Sequence, residues 1–130
     1  AAGVVEAAGG RLTVLVTGDG GGLMALADAE SVLRRVQATG GRCVIVVVND
    51  AAYGAEIHQY AWQGVPEQAM LIPEVDFTAV LGAFGAQGSV VRTLEDLAVV
   101  EDWLASGEPG TWVLDCRVSR TVVAPFLARE

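Results

Sequence analysis

The chain has 130 residues, 52% hydrophobic and 18% charged, with a formal net charge of −8. That length predicts one domain with a real core, and an acidic balance with no basic run argues against nucleic acid and anionic membrane surfaces as partners. No stretch approaches about 18 consecutive apolar residues, so no transmembrane helix is expected; the N-terminus shows no signal-peptide pattern, and a cytoplasmic protein is expected. Cys43 and Cys116 lie within or beside apolar strand patterns, at no metal or disulfide spacing, and read as small buried residues. A mean hydropathy of +0.45 predicts surplus apolar surface that faces other domains or subunits.

In chain order, Ala1 to Gly9 reads as the tail of a helix closed by Gly9-Gly10. Leu12 to Thr17 is a continuous apolar run, the pattern of a strand buried on both faces. Gly18 to Gly22 reads as a turn. Leu23 to about Gln37 reads as a helix whose inner stripe is Ala25, Ala29, Val32 and Val36, joined by Leu26 and Leu33. Cys43 to Val48 is a second apolar strand, so the unit is βαβ and the strands should be parallel. Asn49 to Gly54 is then a loop at the carboxyl end of that strand, the edge where open α/β sheets bind ligands. Asp19 and Asp50, each just past a strand end, are expected at that same edge.

Farther on, Ala55 to Ala61 reads as a short helix and Trp62 to Pro73 as an irregular loop long enough to be functional. Asp76 can cap a helix to Phe84, stopped by Gly85. Ser89 to Arg92 reads as a short strand, Thr93 as the cap of a helix to about Ala105, and Trp112 to Cys116 as the last strand. The remainder shows no pattern. The expected fold is α/β, three layers with a mostly parallel sheet, forming one domain over residues 1–130.

The glycine turn invites two chemical readings. Gly20 to Ala25 fits G-x-G-x-x-A, the dinucleotide fingerprint, with Asp50 placed for a ribose hydroxyl. That reading gives Asp19 no role, and an acid beside an incoming pyrophosphate would repel it. In the other, the glycines let backbone approach an anion, the helix behind them presents its N–H groups, and Asp19 holds a divalent cation against that anion.

Gly18-Asp19-Gly20, then 28 residues, then Asn49-Asp50 resembles the motif of thiamin diphosphate-dependent enzymes, which opens with Gly-Asp-Gly and closes with Asn-Asn. Leu23-Met24, Tyr53-Gly54, Asp76-Phe77, Ala83-Phe84-Gly85-Ala86, Val91-x-Thr93 and the closing strand are similar to the acetolactate synthase-like branch. The resemblance implies Mg²⁺ held by Asp19, Asp50 and the carbonyl of Ala52. It implies a cofactor site that also includes Gly18, Gly20, Gly21, Asn49, Tyr53 and Gly54. Asp50 departs from the family's Asn and adds a negative charge.

Glu56 stands at the offset where pyruvate decarboxylase-like relatives carry a glutamate near the thiazolium. Buried there, it would have a raised pKa suited to proton transfer. His58 is a lesser candidate for substrate contact, and Tyr53, Tyr60 and Trp62 for a pocket wall.

By the same resemblance, the chain lacks the pyrimidine-binding domain that supplies the activating glutamate, and its own domain looks cut short before Gly18. A partner domain or subunit, a homodimer or homotetramer, and a 2-oxo acid substrate are expected, with the chain inactive alone. A non-catalytic remnant serving as an interaction module is the remaining alternative.

Overall fold

A computed structural model describes residues 1–123 and 125–126. Four strands form one parallel sheet in the order β1-β2-β4-β3: β1 Leu12–Gly18, β2 Arg42–Asn49, β3 Gln87–Val91 and β4 Gly110–Arg117. The expected β1 and β2 pairing is parallel, with Thr17 opposite Val47 and Gly18 opposite Val48.

One face carries the larger core. Val32, Leu33 and Val36 of α3 (Leu26–Thr39) pack with Val5 of α1 (Ala2–Ala7) and with Phe77 and Leu81 of α5 (Phe77–Gly82). From the sheet they meet Cys43, Ile45, Val47 and Val113. These α3 residues recur at spacings of one, three and four, which sets them on one side of the helix. Gly40 closes α3 in the left-handed conformation at φ 61°, with the Gly41 N–H donating to the Val36 carbonyl at 3.0 Å. Burial pushes the Cys43 thiol up to about 11, which makes it an inert core residue, as its apolar setting predicts.

The opposite face is covered by α6 (Ala98–Ser106), where Val100 and Trp103 meet Val44, Trp112 and Leu114. The sheet is therefore sandwiched between helices, as expected for three layers. Arg42 lies 4.7 Å over the Trp103 ring and donates to the Trp103 and Leu104 carbonyls, which ties off the end of α6.

Several expectations are corrected. The glycine run is not a turn: helix α2 spans Asp19–Met24, and a break at Ala25 separates it from α3. Glycine is a poor helix former, so the run reads as a turn. Close packing accounts for the glycines within this helix: a Cβ on Gly20 would lie 2.6 Å from the Tyr53 ring and one on Gly22 3.2 Å from that of Phe77.

β1 is not buried on both faces. Val14 is 57% and Val16 62% exposed, because β1 is the sheet's edge and α6 lies over β2 and β4. Past Thr93, which forms a capping box with Asp96, the helix opens as a 3₁₀ turn over Leu94–Leu97 before α6. The loop from Trp62 to Pro73 begins within one 3₁₀ turn, Ala61–Gln63, and holds another, Glu67–Met70, and Leu71 bridges Ala52.

Candidate functional site

The carboxyl ends of β1 and β2 lie side by side, so the residues just beyond them share one sheet edge. β1 ends in Gly18, whose extended backbone (φ −81°, ψ 165°) hands the chain directly to α2. Asp19 is thereby turned inward at 4% exposure. One of its oxygens accepts the Gly20 N–H at 2.8 Å and the other accepts the Ala52 N–H at 3.2 Å.

Asp50 reaches the same point from β2. Its Oδ1 also accepts the Ala52 N–H, at 3.2 Å, so two carboxylates converge on one backbone donor. Burial raises the Asp19 pKa, and the charge of Asp50 raises it further, against the lowering effect of N–H bonds from Gly20, Ala52 and Ala51. Gly54 makes room for this arrangement: a Cβ there would stand 2.6 Å from Asp50 Oδ2.

These groups open onto a cleft of about 660 Å³ lined by Gly18, Asp19, Gly20, Gly21, Asp50, Ala52, Tyr53, Gly54 and Glu56, together with the apolar Met24, Val48, Val118 and Val122 and the hydroxyl-bearing Ser119. A second cavity of about 510 Å³ beside α1, β1 and α3 is walled mostly by apolar residues such as Leu15, Leu26 and Val32. It has no comparable convergence of polar groups, and the cleft at the strand ends is the candidate site.

All but one of the cofactor-site residues expected from the sequence line this cleft. Asn49 lies behind it at 3% exposure, its amide donating to Asp115 at 2.8 Å and to the Val75 carbonyl at 3.2 Å. Glu56, on α4 (Gly54–Tyr60), lines the cleft and is exposed, because no segment of the described chain covers it. His58 is two residues on, roughly 200° around the helix, and does not line the cleft; neither do Tyr60 and Trp62.

Sequence reasoning missed Asp115, Arg117 and the stretch from Val118 to Val122. Asp115 carries a signal that could have found it: a charge inside an otherwise apolar strand pattern, followed two residues later by an arginine of opposite sign.

Among the described residues, no group of three or more His, Cys, Asp or Glu side chains converges on a metal position. Two carboxylates suit one metal well. Mg²⁺ is bound through one or two carboxylates plus substrate phosphates and waters, all hard oxygens. The like-charge pressure between Asp19 and Asp50 is the kind a divalent cation relieves.

None of the curated proteins compared with the chain matches it significantly in sequence. Among solved structures, the chain is similar to the thiamine diphosphate-dependent 4-hydroxybenzoylformate decarboxylase of Rhodococcus jostii RHA1, with 21% identity and a TM-score of 0.72 over 92% of this chain. It is also similar to the benzoylformate decarboxylase of Polynucleobacter necessarius, with 20% identity and a TM-score of 0.73 over 94% of this chain. It spans 22% and 23% of those two chains, and at such identities the likeness is one of fold. The family profile described as "Thiamine pyrophosphate enzyme, C-terminal TPP binding domain" matches residues 1–116 and takes the place of the dinucleotide reading. With that match over most of its length, and with two carboxylates converging at its sheet edge, the chain belongs to the C-terminal cofactor-binding domains of thiamin diphosphate (thiamine pyrophosphate) enzymes.

Proposed function

We propose that residues 1–130 form a domain that binds the diphosphate of thiamin diphosphate through Mg²⁺, as part of an acetolactate synthase-like enzyme that decarboxylates or joins 2-oxo acids. The observation that carries this reading is the convergence of Asp19 and Asp50 on the Ala52 N–H, at the cleft of a chain from this family. The carboxylates of Asp19 and Asp50 and the carbonyl of Ala52 would hold the metal. Gly18, Gly20, Gly21, Tyr53 and Gly54 shape the cradle for the diphosphate. When bound, thiamin diphosphate supplies a nucleophilic carbon and an electron sink for the bond next to a carbonyl.

Glu56, which lines the cleft, would hold or move a proton once another domain closes over it. A pyrimidine-binding domain, from the same polypeptide or another subunit in a homodimer or homotetramer, completes the site and supplies the activating carboxylate. The chain alone therefore binds cofactor without turning over. That the two similar structures are decarboxylases of 4-hydroxybenzoylformate and benzoylformate, both 2-oxo acids, supports a 2-oxo acid as substrate.

Calorimetric titration with thiamin diphosphate, with and without Mg²⁺, tests the reading. Saturable binding that requires Mg²⁺ is expected. Absence of binding at millimolar cofactor, or equal binding after chelation, would overturn it. The extra charge of Asp50 adds a second expectation: Asp50→Asn keeps an oxygen ligand and removes one repulsion on the diphosphate, so its affinity should equal or exceed that of the parent chain. A clearly weaker Asp50→Asn would mean that the second full charge on the metal outweighs the repulsion.

A further inference from the structure

Asp115 is 0% exposed, in the middle of the sheet, and the strand around it is apolar. A carboxylate in such a place is costly unless its oxygens are fully engaged. Here they are. Oδ1 accepts the Asn49 amide at 2.8 Å, and Oδ2 accepts the Phe77 N–H at 3.1 Å and the Arg117 guanidinium at 2.7 Å. Arg117 is held in turn by Glu74 at 2.9 Å and the Val75 carbonyl at 3.0 Å.

The consequence reaches the cleft through Asn49. Its Nδ2 faces a carboxylate and a carbonyl, which fixes which way the amide points. Oδ1 is thereby left to accept the Ala51 N–H at 3.2 Å. Ala51 has φ 55°, a left-handed conformation that a residue with a Cβ adopts only when its surroundings hold it there. Ala51 lies between Asp50 and Ala52. Side-chain contacts thus run from Asp115 through Asn49 to the backbone between the two residues whose oxygens would meet the metal. The segment after β4 adds two more ties, as the Val118 N–H donates to the Asn49 carbonyl and the Arg120 Nε to the Asp50 carbonyl, each at 3.0 Å.

We propose that Asp115 is a positioning residue: through Asn49 it sets the conformation of the loop from Asp50 to Ala52 and thereby the Mg²⁺-dependent affinity for the diphosphate. This rests on the reading of that loop as the metal and diphosphate site. Residues that orient a metal's ligands typically change affinity about 10- to 100-fold when altered. Asp115→Asn retains the shape but sets an amide against donors on every side. Its affinity for thiamin diphosphate at saturating Mg²⁺, measured by calorimetry on the chain, should fall by about that factor.

Asn49→Ala should fall similarly, and the double variant little further, because the two act through one contact. Val113→Ala, two residues back in the same buried strand, is the control for stability alone. It should lower the unfolding midpoint and leave affinity within about twofold. If Asp115→Asn does not fold, Asn49→Ala and Val113→Ala carry the comparison. Parent-like affinity in Asp115→Asn, fully additive losses in the double variant, or an equal loss in Val113→Ala would overturn the positioning role while leaving the site intact. A parent chain that does not bind with Mg²⁺ would overturn the site and the positioning role together.

Discussion

Asp19→Ala is expected to lower Mg²⁺-dependent binding of thiamin diphosphate by about 30-fold or more. Removing one member of a buried, hydrogen-bonded charge pair costs about 2–5 kcal/mol, and each 1.4 kcal/mol is about tenfold in affinity. Asp19 is buried at the cleft, and with it gone Asp50 is the one carboxylate left of the two proposed to hold the metal. Circular dichroism should show the variant folded, since the Ala52 N–H keeps Asp50 as its acceptor. Binding unchanged from the parent chain would show that the metal sits elsewhere.

The same residue predicts a pH effect on the metal-free chain. Burial and the neighbouring Asp50 raise the Asp19 pKa above the ordinary carboxylate value. The folded chain then holds the proton more tightly than the unfolded one, so Asp19's contribution is fully present below the unfolded value of about 4 and is lost as pH rises through the folded one. The stability of the parent chain relative to Asp19→Asn should therefore fall as pH rises from about 4, then level off. Urea unfolding of both chains across that range checks the sign, and a rising difference would contradict it.

Phe77→Ala is expected to be the most damaging core substitution, at about 3–5 kcal/mol against a total stability of about 5–15 kcal/mol for a domain. Phe77 is among the largest fully buried side chains, and its ring packs against Gly22 of α2. Its backbone N–H donates to Asp115. One residue thus joins α5, the glycine helix and the buried carboxylate network. Urea denaturation should show the loss in the midpoint. A loss below about 1 kcal/mol would mean that α5 contributes little to this core.

Much of this arrangement was legible because it depends on local pattern. Apolar runs separated by a helix of 3.6-residue periodicity announce a βαβ unit. That unit alone brings Asp19 and Asp50 to one sheet edge, as the structure shows. The caps at Asp76 and Thr93 were legible for the same reason: each bonds a backbone group within a few residues of itself.

The place of Glu56 at the cleft follows from its position just past β2, whereas its exposure depends on what lies opposite. The resemblance includes Asn49 in the cofactor site. Its side chain follows Val47 to the buried face of β2, where it donates to Asp115, 66 residues along the chain.

The sequence by itself determined the fold class, the parallel pairing of β1 and β2 and the meeting of the two acidic residues, since hydrophobic period and strand order suffice for these. Only the tertiary structure decided that the glycines coil into α2, that among the described residues none covers one face of β1, and that Asp115 and Arg117 stand behind the loop. Each of these depends on partners distant in the chain: the rings of Tyr53 and Phe77, the reach of α6, and the parallel register of β2 against β4. Hydrophobicity records that a surface is suited to burial; contacts between distant segments decide what covers it and which polar groups find each other.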